Sequence, residues 1–121
     1  MTRRHHDLVL WQQAIALVKL VYRLTAKFPA TEAFGLTSQM RRAAVSVPAN
    51  IAEGVARAGP KERLHFLSIA RGSLNELDTY AVLAKELEYV ADVVDVSELI
   101  DRVFALLSGF IAAERKRSAD K

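Results

Sequence analysis

The chain has 121 residues, 51% of them apolar, no cysteine, and a formal net charge of +3. That length accommodates one domain with a single core, and the missing thiols exclude disulfides, cysteine nucleophiles and cysteine-ligated metals. No stretch reaches the roughly 18 uninterrupted apolar residues of a membrane span. Arg3 and Arg4 precede an apolar stretch, but Gln12, Gln13 and Lys19 interrupt it and no small-residue cleavage site follows. A signal peptide is therefore not expected, and the default location is the cytoplasm.

Four helical segments are legible in order. The first spans residues 7–28, with Asp7 as its N-cap and Pro29 as its stop. It carries two apolar rows, one through Trp11, Ile15 and Val18 and one through Leu10, Ala14, Leu17 and Val21. A helix facing one core needs one stripe, so the second row predicts deep burial or a further contact surface. The second segment begins at Thr37 or Ser38 and ends at Arg57. Pro48 lies inside it, where a missing N–H and a ring clash predict a kink, with a full break the lesser expectation. Gly59 and Pro60 suit the close of one helix and the first turn of the next.

The third segment spans residues 60–89, with Leu64, Leu67, Ala70, Leu74, Leu77, Ala81 and Ala84 at helical spacing. Gly72 sits mid-helix, where glycine costs about 1 kcal/mol against alanine, and its presence predicts close approach of another helix. The fourth begins near Asp95 or Ser97 and ends in Arg115, Lys116 and Arg117, cations placed where the helix dipole favours them. No strand pattern or repeat is present. Short connections make neighbouring helices antiparallel, so the expected architecture is an all-α, antiparallel up-down four-helix bundle with a Pro-kinked second helix. The bundle occupies residues 7–114, between a flexible basic tail at 1–6 and a second basic tail at 115–121.

Charge is unevenly spread. From Lys19 to Arg71 the sequence is basic, and from Gly72 to Glu114 the sign reverses. Three readings stay open: a basic half that meets RNA or DNA, a basic half that meets the acidic half of another copy in a head-to-tail ring, or two halves that neutralise each other on folding. Arg41 and Arg42, with Arg57, Lys61 and Arg63, are the candidate phosphate contacts across the ends of helices 2 and 3. No helix-turn-helix, zinc-finger or RNA-recognition signature accompanies them.

Ser46, Asn50, Glu53 and Arg57 are spaced four, three and four apart and so share one helix face. With Glu76 they read as a polar network between helices or subunits. The competing reading, Glu53 and Glu76 as an acid–base pair, is the weaker, and no catalytic residue is assigned. Glu62 and His65 form a single Glu-x-x-His, whereas a di-iron bundle needs two. No metal site and no cofactor are expected.

The run Gln39-Met40-Arg41-Arg42-Ala43-Ala44-Val45-Ser46-Val47-Pro48-Ala49-Asn50-Ile51-Ala52-Glu53-Gly54, followed by Arg57, resembles the bacterial four helix bundle protein family. That family is named for proteins encoded in intervening sequences of ribosomal RNA genes. The later block from His65 through Leu77, and the opening Asp7-Leu8-Val9-Leu10-Trp11-Gln12, resemble it too, so the likeness covers roughly residues 7–112. The resemblance implies an antiparallel bundle that assembles with itself into a ring, expected to be a homopentamer. It also implies similarity to the accessory protein of diversity-generating retroelements, a basic pentameric barrel that binds nucleic acid and a reverse transcriptase. The expected function is thus a non-enzymatic homo-oligomer that binds RNA or DNA, with a purely structural or protein-interaction scaffold as the alternative.

Overall fold

The computed structural model describes residues 3–119, so residues 1–2 and 120–121 of the two expected tails lie outside the described residues. Four helices make up the fold: α1 (Val9–Thr25), α2 (Leu36–Ala56), α3 (Pro60–Glu86) and α4 (Val94–Ala119). Two 3-10 turns, Arg4–Asp7 and Ala30–Glu32, precede α1 and α2. No strand occurs among the described residues. Each helix packs on two others, α1 on α2 and α4, and α3 on α2 and α4, so the four close a circuit around one core.

One stripe from each helix fills that core. On α1 it is Leu10, Ala14, Leu17 and Val21, while Trp11, Ile15 and Val18 of the second row are only half-buried. On α3 the expected row is buried from Leu67 to Ala84, with Leu64 half-buried. Met40, Ala44, Val47 and Ile51 face it from α2, and Ile100, Val103, Leu107 and Ile111 from α4. α2 runs without a break through Pro48, whose ring is buried. Lacking an N–H, residue 48 cannot donate to the carbonyl one turn earlier, at Ala44.

Glycine marks one close approach, and it is not the expected one. A Cβ on Gly72 would meet nothing within 4 Å, whereas a Cβ on Gly54 would lie 3.2 Å from the Arg63 carbonyl and 3.4 Å from the Leu67 side chain. The end of α2 therefore presses on the start of α3 at Gly54. Gly72 lies on an exposed face, so the expectation of a helix packed against it is corrected.

The helix ends also differ from expectation, and side chains in the preceding turns cap α2 and α4. Asp7 belongs to the 3-10 turn, Leu8 is the N-cap of α1, and the basic segment at 3–6 is folded from Arg4 onward. Leu36 donates its N–H to the Glu32 carboxylate (3.3 Å), a cap from the preceding turn rather than from Thr37 or Ser38. Val94 donates to Asp92 (3.1 Å), ahead of Asp95 and Ser97. α3 closes as a Schellman motif: Glu88 takes a left-handed conformation (φ 62°), its N–H reaches Lys85 O, and Tyr89 N–H reaches Ala84 O. α4 continues to Ala119, so most of the expected C-terminal tail is helix.

Tyr89 then donates its hydroxyl to Glu32 (2.7 Å), tying the α3–α4 turn to the turn before α2. The accepting carboxylate, aided by burial and by its negative charge, raises the Tyr89 phenol above the ordinary value of 10.0. A raised native value stabilises the fold below the ordinary value, and that contribution is lost as pH climbs through the raised one. Melting temperature followed by circular dichroism above pH about 10 should therefore fall more steeply for the wild type than for Tyr89→Phe. A second pair of variants tests the packing. Gly54→Val should cost about 1–3 kcal/mol by overpacking. Gly72→Ala should add up to about 1 kcal/mol through helix propensity alone. Denaturant unfolding measures both.

Candidate functional site

The start of α1, the end of α2, the start of α3 and the end of α4 lie at one end of the bundle. The segment Arg3, Arg4 and His5 lines a recess with Ala52, Glu53, Val55 and Ala56 of α2. His5 and His6 pack edge-on or tilted against Trp11, each with ring centroids 5.0 Å from the indole. Glu53 pairs with Arg57 at 2.9 Å, and the Arg57 guanidinium sits 4.8 Å over the Phe66 ring.

Arg63 joins this end to α4. Its Nε and Nη2 reach both carboxylate oxygens of Glu114 (2.9 and 3.3 Å), and Nη1 donates to the carbonyls of Arg57 (3.0 Å) and Ala58 (2.7 Å). Arg117 donates to the same carboxylate at 2.6 Å. Glu114 is 2% exposed, and a carboxylate so far from water needs these donors. The planar guanidinium suits such a bidentate contact, which a lysine could not make.

The polar stripe divides into separate groups. Asn50 donates to the hydroxyl and the carbonyl of Ser46 (2.9 and 2.8 Å), and Ser73 of α3 donates to the same hydroxyl (2.8 Å). Glu53 and Arg57 form their own exposed pair, and Glu76 accepts only from Tyr80 (3.4 Å) among the described residues. The stripe lies on the outer face of the single chain, half-buried at Ser46 and Asn50 and exposed at Glu53 and Arg57. Glu53 and Glu76 do not meet. With Ser46 opposite Ser73, Glu76 lies opposite residue 43, roughly 15 Å along α2 from Glu53.

The five candidate phosphate contacts do not form one patch. Arg41 and Arg57 are separated by roughly 24 Å of α2, so they lie near opposite ends of it. Arg41 is held by the Thr25 hydroxyl (2.8 Å) and stacks 4.5 Å over the Tyr22 ring, while Arg42 beside it is exposed. Arg63 is corrected from open cation to internal brace, since its hydrogen bonds are directed into the chain. Lys61 is exposed. Sequence reasoning did not single out Glu114. Its only signal was an acid at the end of an apolar helical row, followed three residues later by Arg117.

His65 of the Glu-x-x-His pair is exposed, its ring 5.3 Å from Phe66. Among the described residues no three histidine, aspartate or glutamate side chains come together as a metal site, and no helix is long and apolar enough to cross a membrane.

Fold and packing define an all-helical four-helix bundle protein whose ion pairs, among the described residues, all lie at the end where α2 and α4 finish. The family model described as 23S rRNA-intervening sequence protein matches residues 6–109, and the chain belongs to that family. No curated protein matches it.

Truncating the buried carboxylate should be costly. Glu114→Ala leaves Arg63 without its partner and should lower stability by about 3 kcal/mol in denaturant unfolding. The paired change Glu114→Leu with Arg63→Met should recover most of that loss, because no buried charge is then left unpaired.

Proposed function

We propose that this chain is a non-enzymatic, homo-oligomeric four-helix bundle that binds RNA or DNA. The observation that supports nucleic-acid binding best is the excess of cations without acidic partners where the chain termini gather. Arg3, Arg4, Lys61, Arg115 and Lys116 make no ion pair there among the described residues, while Glu53 and Glu114 are already engaged by arginines and only Asp7 and Glu62 stand against the five cations. Phosphates are the natural counterpart of such a surface, and contacts of this kind position a nucleic acid without reading its sequence. The family's name, which refers to an intervening sequence of 23S rRNA, agrees with a setting rich in RNA.

Self-assembly is supported by the apolar residues left outside the core. Phe34 is 100% exposed, and with Tyr22 and Val45, each more than 40% exposed, it borders a recess between α1 and the start of α2. A single chain gains nothing from holding these side chains in water, whereas a repeated heterologous contact would cover them in a closed ring. A ring of five subunits is the count that the family resemblance implies. The same exposed Phe34 favours the second reading, a protein-interaction scaffold without nucleic-acid binding.

Two measurements separate the readings. Light scattering at micromolar concentration should give a mass several times that of the chain, and Phe34→Ser should lower that mass without lowering the melting temperature. A monomer would remove the assembly. Binding to structured RNA and duplex DNA across a salt series should weaken steeply as salt rises. Absence of binding at low salt would leave the scaffold reading.

A further inference from the structure

We propose that the termini-bearing end of the bundle is a docking surface for single-stranded RNA. The inference rests on the nucleic-acid reading above and specifies its place and its ligand. Contacts run unbroken across this end: Arg3 and Arg4 border Glu53, Glu53 holds Arg57, Arg63 holds the Arg57 and Ala58 carbonyls, and Glu114 joins Arg63 to Arg117. The brace thus brings Lys61 at the start of α3 and Arg115 and Lys116 at the end of α4 to one end, although more than fifty residues separate them in sequence.

One further feature chooses the ligand. Aromatic rings are interleaved with the cations: His65 is exposed beside Phe66, the Arg57 guanidinium stacks on that ring, and His5 and His6 pack around Trp11. Cations track a phosphate backbone, while exposed imidazole and guanidinium planes accept the faces of unpaired bases, which a duplex hides. The opposite end is mixed in charge: the α3–α4 turn and its flanks carry Glu86, Glu88, Asp92, Asp95 and Glu98, but Arg23 and Lys27 line the same recess as Asp92 and Asp95. The strand is placed at the termini-bearing end because Arg3, Arg4, Lys61, Arg115 and Lys116 make no ion pair there among the described residues.

The test uses fluorescence anisotropy with a labelled adenine-rich single-stranded RNA between about 50 and 200 mM salt. Three variants of exposed residues are compared, each with its helicity and mass checked against the wild type. Lys61→Gln/Arg115→Gln/Lys116→Gln should lower the slope of log affinity against log salt by about 2, at roughly 0.7 per lost phosphate contact to a single strand. His65→Ala should weaken binding about tenfold and leave the slope unchanged. Arg42→Gln, at the other end of α2, should do neither.

Failure to bind the single-stranded RNA at the lowest salt would overturn this proposal, and failure to bind structured RNA and duplex DNA there as well would overturn the reading beneath it. Binding that survives the triple variant but is lost in Arg42→Gln would keep the nucleic-acid reading and overturn the placement. Equal affinity for duplex RNA with no effect of His65→Ala would overturn the single strand as ligand. Stronger binding to phosphatidylserine vesicles than to RNA would overturn RNA as the partner.

Discussion

The contact between Arg63 and Glu114 organises one whole end of this molecule. A carboxylate that is 2% exposed has lost its water and needs protein donors, and the fork of Arg63 answers both of its oxygens. The remaining nitrogen of that guanidinium reaches back to two carbonyls of the α2–α3 turn, where helix geometry leaves C-terminal acceptors unsatisfied. One side chain thus fixes the turn, the first residues of α3 and the last turns of α4. Arg117 closes the arrangement from one helical turn beyond Glu114.

Apolar packing supplies the rest of the rigidity. Gly54 lets the end of α2 approach the Arg63 backbone closely, so the brace and the tight α2–α3 contact coincide. Farther along the same pair of helices the Ser46 and Ser73 hydroxyls meet across the interface, with Asn50 as a second donor. That small polar group sits beside Pro48 and sets which residues of α2 and α3 stand opposite each other. Glu32 does comparable work at the far end, accepting from Leu36 N–H and from Tyr89, so the turn before α2 and the α3–α4 turn are held together.

Folding also redistributes charge. Along the sequence the sign changes once, near Gly72, which suggests a basic half and an acidic half. In space α3 runs back along α2 and α4 returns beside it, so the basic C-terminal residues rejoin the basic α2–α3 turn, while at the other end Asp92 and Asp95 of the α3–α4 connection share a recess with Arg23 and Lys27. The cations without acidic partners thus cluster at one end of the bundle rather than along one half of the chain. Of the acids at the basic end, Glu53 and Glu114 are occupied by Arg57, Arg63 and Arg117, which leaves Asp7 and Glu62 against a larger number of cations.

The helical spacing of apolar residues, Pro60 as a helix start and the absence of any alternating pattern determined the four helices and the core row of α3. These are local properties, set by side-chain periodicity and backbone chemistry within a few residues. The same reasoning failed where the deciding partner is distant in sequence. Gly72 and Gly54 look alike to propensity, and only the packing of α2 on α3 shows which one another helix approaches. Glu32 and Asp92 outcompeted nearer caps because the turns that carry them fold back over the helix ends. Arg63 resembled Lys61 as an exposed cation until the return of α4 placed Glu114 within its reach. Sequence alone therefore determined which segments are helical and which stripes are apolar. Tertiary structure decided which charges are free, because pairing depends on distances between residues more than fifty positions apart.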